Sequence, residues 1–91
     1  MSREDNVIRR VMRHIYIIVY NISNKVQVIY ENNSHKDKII GIYNLNSLKK
    51  RYNFHMLMDD EIEKYVKNDF ENKLRYAYRH NGINGVNNLL V

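Results

Sequence analysis

Ile62, Val66, Phe70, Leu74 and Tyr78 stand four residues apart, and no other feature of the chain limits its fold so tightly. Steps of four drift slowly around a 3.6-residue helix, so these side chains form one apolar stripe, with Ala77 beside it. The spacing predicts a helix over 60–80. Asp60 and Glu63 fit a capping box at its start. Asp59 to Glu61 suit the positive end of its dipole, and Arg75, Arg79 and His80 the negative end. Asn81-Gly82 reads as a stop. Such a helix needs an apolar surface to lie on, which the rest of the chain must supply.

Three strand-like runs supply it. "IYIIVY", residues 15–20, is built from β-branched and aromatic residues. "NISNK" reads as a turn. "VQVIYE" alternates Val26, Val28 and Tyr30 with Gln27, Ile29 and Glu31. After the polar loop "NNSHKD" comes "KIIGIYN", in which Gly41 marks a bulge. Connections this short favour an antiparallel meander. Before the strands, Val7, Ile8, Val11, Met12 and Ile15 recur at helical spacing, with Ser2 or Asp5 as cap and a helix end near His14. After them, Asn44 or Asn46 can cap a short helix carrying Leu45, Leu48 and Tyr52.

The expected fold class is therefore α+β: a three-stranded antiparallel meander with helices packed on it, in the order α-β-β-β-α-α. Ninety-one residues hold one core. Residues 1–82 read as that domain and 83–91, "INGVNNLLV", as a C-terminal tail in loop conformation, with Leu89 to Val91 either tucked in or frayed.

The apolar run 15–20 follows Arg9, Arg10 and Arg13 as a leader's core would follow its basic start. Six residues are too few for a signal core, which needs about seven, or for a membrane span, which needs about twenty. The expectation is a cytoplasmic protein without membrane contact, in the host cytoplasm if the source is viral. With no cysteine, the chain has neither disulfides nor thiolate metal sites.

Net charge is +5. On the long helix Asp60–Lys64, Glu63–Lys67, Asp69–Lys73 and Glu71–Arg75 pair acid with base four residues on, so that face largely neutralises itself. Two clusters are left over: Arg9, Arg10 and Arg13 with His14, and Lys49, Lys50 and Arg51. They are the candidate electrostatic contacts, for an acidic protein surface or for phosphate. A helix-turn-helix built from the last two helices would aim "MDDEIE" at DNA, which phosphate repels. A double-stranded RNA-binding domain shares the α-β-β-β-α order, but basic residues are expected to open its last helix; Asp59, Asp60 and Glu61 stand there instead.

Alternation along the strands places Ile15, Ile17, Val19, Val26, Val28, Ile40 and Ile42 on one face, the expected floor for the helices. The other face then carries Tyr16, Ile18, Tyr20, Gln27, Ile29, Glu31, Ile39 and Tyr43, which is not the usual polar solvent side. Its own chain can cover it, a protein can dock on it, or bases can stack on Tyr16, Tyr20 and Tyr43. Glu31 and the absence of strand arginines weigh against stacking.

Reaction chemistry is harder to find. Histidines 14, 35, 55 and 80 lack i,i+4 pairing and read as surface or cap residues. Ser34-His35 are neighbours in sequence only. Asp59, Asp60, Glu61 and Glu63 have a sufficient reason at a helix start. Glycines 41, 82 and 85 form no phosphate-cradling loop. Met12, Met56 and Met58 read as core or interface filler. No cofactor, metal or catalytic residue is expected.

The functional expectation is a small non-enzymatic protein-binding module. Tyr16, Ile18, Tyr20, Ile29 and Tyr43 would anchor the partner, while Arg9, Arg10, Lys49 and Arg51 steer it. Fourteen asparagines and many isoleucines and lysines suit an AT-rich genome such as a phage's. That suggests a steric inhibitor of host nucleic-acid-handling machinery, in the manner of anti-CRISPR proteins. The alternatives are a direct nucleic-acid binder using residues 9–14 and 49–51, and a structural homodimer.

Overall fold

The computed structural model describes residues 2–33, 36–51 and 58–91. Its elements are α1 (Arg3–Met12), β1 (Ile15–Tyr20), β2 (Lys25–Tyr30), β3 (Lys38–Asn44), α2 (Leu45–Arg51) and α3 (Asp59–Leu90). The three strands form one antiparallel sheet in sequence order, so the fold is the α+β meander read from the sequence.

Local chemistry explains the boundaries. Ser2 Oγ accepts the Asp5 N–H at 3.1 Å and starts α1. The helix ends two residues before β1, and the His14 carbonyl accepts the Glu31 N–H at 2.7 Å, joining the incoming chain to the end of β2. In the β1–β2 turn Asn24 takes φ 57°, a left-handed conformation that asparagine tolerates. Its carbonyl accepts the Leu45 N–H at 3.0 Å, so the turn also anchors α2. Asn44, not Asn46, caps that helix, its Oδ1 accepting the Ser47 N–H at 2.9 Å. Tyr52 lies outside the described residues.

The long helix breaks at Gly82 as expected, but its cap and the segment beyond the break differ from expectation. The side chain that reaches back at its start belongs to Glu61, whose Oε1 accepts the Met58 N–H at 3.4 Å, and not to Glu63. At the other end Gly82 breaks the helix with φ 62° and ψ −148°, and the chain then turns into a second helical arm, 83–90. The loop expected over 83–91 is thus corrected. Val86 is buried in the core, and Leu89 and Leu90 pack against it. Burial of one apolar edge outweighs the poor helix propensity of asparagine and glycine.

The strand registry also needs one correction. Val28 pairs Gly41 but Ile29 pairs Ile39, which leaves Ile40 as the extra residue of a bulge. Every position after it changes face. Ile42, expected beneath the helices, is 66% exposed, while Tyr43, expected outside, pairs Val26 and packs on the core. Gly41 leaves room for Phe70: a Cβ there would lie 3.4 Å from its ring and 3.3 Å from Val28.

The core lies on one side of the sheet. Ile15, Ile17, Val26 and Val28 meet Ile8 and Val11 of α1, Leu45 and Leu48 of α2, and Ile62, Val66, Phe70, Leu74 and Val86 of α3. None of the strand members of that cluster comes from the opposite face.

Candidate protein-binding face

Registry builds the outer face from cross-strand neighbours. Tyr16 stands opposite Ile29, Ile18 opposite Gln27, and Tyr20 opposite Lys25. Ile29 in turn faces Ile39, and Gln27 faces Ile42. No described helix packs on this side. Ile39 is 50% exposed and Tyr20 37%, and Tyr16 and Ile18 are half-buried. Ile22, in the adjoining turn, is fully exposed. Ile29 belongs to the face by registry but is only 5% exposed, so it offers a partner little surface and is not the anchor that the sequence suggested.

The two ends of the face differ in charge. At the turn end, Lys25 Nζ lies 5.3 Å from the centre of the Tyr20 ring. At the far end the Tyr16 hydroxyl donates to Asp37 Oδ2 at 2.7 Å. That bond, helped by burial and by the charges of Asp37 and Glu31, raises the Tyr16 phenol above the usual tyrosine range. Tyr16 therefore stays a neutral, oriented ring.

Tyr43 is not part of this surface. Its hydroxyl donates to Asp69 Oδ2 at 2.5 Å, and Lys73 Nζ lies 4.6 Å above its ring. It fastens β3 to α3. Ile42 and Lys25 take the places that sequence reasoning gave to others; Gly41, next to Ile42, was the available sign that the strand parity would slip. Ile22, an apolar residue inside a polar turn, was the other.

The basic clusters separate. Arg9, Arg10 and Arg13 line, with Asn6, a groove of about 290 Å³ on the open side of α1. Positions 6, 9, 10 and 13 share one helix face, so their guanidinium groups add. In the second cluster Arg51 pairs with Asp69 at 3.6 Å, which Lys73 shares at 3.7 Å. Lys49 is half-buried and Lys50 exposed. The acids of α1 are taken up by α3: Glu4 and Asp5 meet Arg75 at 2.9 and 2.7 Å, and Glu4 meets Arg79 at 2.8 Å.

His14 tilts against Tyr30 with ring centres 5.9 Å apart, and His80 stacks on Tyr76 at 3.9 Å. Ser34, His35, His55 and Met56 lie outside the described residues; Met58 is exposed. Among the described residues no group of three or more histidine or acidic side chains is placed to hold a metal ion. No helix among them is long and apolar enough to cross a membrane. Comparison of the chain with protein-family models, with curated proteins and with solved structures gives no match.

Proposed function

We propose that this chain is a small non-enzymatic binding module that docks another protein on the outer face of its sheet. One observation carries the reading: every described helix packs on the same side, leaving Tyr20, Ile39 and Ile42 exposed on the other face, with half-buried Ile18 beside them and Gln27 among them. Contiguous apolar surface is the usual mark of an interaction site. Its chemistry suits protein better than nucleic acid, because Lys25 is its only strand cation and acids stand at its other end. Three strands about 4.8 Å apart and six residues long span on the order of 300 Å² in projection. A standard interface takes roughly 800 Å² per partner. A partner large enough to reach past the sheet to Ile22 supplies the difference better than a second flat sheet does.

The mechanism proposed is steric occlusion. The composition suits a phage or mobile-element source, and from such a source the proposed role is inhibition of host nucleic-acid-handling machinery, anti-CRISPR-like in manner, with Arg9, Arg10 and Arg13 steering the chain to an acidic surface. A photo-crosslinking residue at position 42, compared with one at exposed Lys64, tests the docking face in host extract. One discrete adduct at 42 that disappears when Ile39 becomes lysine supports the reading. Equal labelling from 42 and 64, or an adduct indifferent to Ile39→Lys, overturns it.

A second reading, direct nucleic-acid binding, is favoured by the arginine groove of α1. A third, the homodimer, is favoured by the opposite charges at the two ends of the face. A two-fold axis across the strands would set Lys25 of each copy near Asp37 of the other.

A further inference from the structure

A cleft unconnected with the sheet face opens between α1 and the second arm of α3, with a volume of about 250 Å³. Two helix faces form it: positions 7, 10, 11 and 14 of one segment and 83, 86, 87 and 90 of the other, with Tyr30 between them. Val11 and Val86 are its buried floor, and Val7, Ile83 and Leu90 are its apolar walls.

Its polar groups include one fixed charge, the Arg10 guanidinium. Arg10, His14, Tyr30 and Asn87 line it, and no acidic side chain does. No described residue forms a hydrogen bond or ion pair with the side chains of Arg10, Tyr30 or Asn87. The Arg9 and Arg13 guanidinium groups, in the adjoining groove with Arg10, add to the positive field. An apolar recess with a few unengaged polar groups at its edge is the common form of a small-ligand site. Arginine recognises a carboxylate through paired N–H donors.

We infer that this cleft binds a small amphipathic carboxylate, its hydrocarbon end on Val11 and Val86 and its carboxylate at Arg10. At about 30 Å³ per water-sized group, the volume admits roughly eight heavy atoms. Hexanoate is such a molecule and serves as the probe.

The test is a titration of the full chain, isotope-labelled, followed by amide NMR. Hexanoate is expected to shift the resonances of Val7, Val11, Tyr30 and Val86 saturably, with a dissociation constant of about 1 mM or below. Hexan-1-ol should bind about tenfold more weakly and hexylamine should not bind. Arg10 is exposed, so Arg10→Gln leaves the fold intact; it should remove the preference for hexanoate over hexanol, a loss of about tenfold. No saturable shift up to about 20 mM, equal affinity for hexanoate and hexylamine, or an unchanged preference in Arg10→Gln overturns the inference.

Discussion

Gly85 rests against the carbonyl oxygen of Ala77: a Cβ built on Gly85 would stand 2.4 Å from that oxygen and 2.9 Å from Asn81 Cβ. This is where the second arm of α3 folds back on the first. The obstructing atom is backbone, which cannot swing aside as a side chain would. Gly85→Ala should therefore cost about 1–3 kcal/mol in urea denaturation, as overpacked sites do. Gly82→Ala meets no neighbour but forces φ 62° and ψ −148°, a region essentially reserved for glycine, on an L-residue, at about 1–3 kcal/mol. Asn84→Ala, on the exposed side of the arm, should change stability by less than about 0.5 kcal/mol. Equal stability of all three variants would mean that the arm does not pack.

Tyr43 and Tyr20 separate the two faces of the sheet. Tyr43→Phe removes the donor to Asp69 at a half-buried position and should cost about 1 kcal/mol. Tyr20→Phe should leave the midpoint of unfolding unchanged within error. If both tyrosines belonged to one docking surface, as plain alternation through β3 implies, neither change would matter to stability.

That contrast also shows how far the sequence could be read. The stripe from Ile62 to Leu74, the strand runs and the element order were legible because period and composition are local properties. The bulge at Ile40 was not, because which residue a strand leaves unpaired depends on its partner, and Gly41 could mark the region but not the position. The helix at 83–90 was hidden for a different reason. Its asparagines and glycine argue locally for a loop, and only the packing of Val86 with the distant Ile8 and Leu74 in one core overrides them. The outer face itself was foreseen, but two of its residues, Ile42 and Lys25, were not.

The open and closed sides should answer differently to polar substitution. Ile42→Glu replaces a side chain already mostly in water, so unfolding free energy should move by no more than about 0.5 kcal/mol. Leu74→Ala empties a fully buried site and should cost about 2–5 kcal/mol. Sedimentation of the native chain across a range of concentrations adds the oligomeric state. The docking proposal expects a monomer; a dimer abolished by Ile42→Glu would transfer the face to the homodimer reading.

Acid should loosen the junction between α1 and α3. Hydrogen bonds from Arg79 and then Arg75, working against burial, hold the Glu4 carboxyl below its ordinary value. Arg75 and then Ser2 do the same for Asp5. Both groups bind protons more weakly folded than unfolded, so their contribution is complete above the ordinary carboxylate pKa and is lost as pH falls through the lowered folded values. Thermal unfolding followed at pH 7, 5 and 3 should show the native chain losing melting temperature below about pH 5. Glu4→Gln should melt lower than the native chain at neutral pH and converge with it in acid. Parallel curves would show that the pairing contributes nothing to folding.

Salt dependence distinguishes the protein-binding reading from its nucleic-acid rival. Three guanidinium groups on one face of α1 can neutralise about three phosphates, and Arg51 in the second cluster is already engaged by Asp69. Each neutralised phosphate adds roughly 0.9 to the slope of log affinity against log salt, so binding to random duplex DNA should show a slope no steeper than about −3. So shallow a slope belongs to weak, nonspecific attachment that should fade by about 150 mM salt. Fluorescence anisotropy with labelled DNA and RNA measures this directly. Alanine at positions 9, 10 and 13 together should abolish the residual low-salt binding, while the photo-crosslinked adduct at position 42 still forms, more slowly because the steering charge is gone. Tight binding that persists at physiological salt, with a slope near −6 and loss in the same triple variant, would instead require both basic clusters to meet phosphate at once and would make nucleic acid the partner.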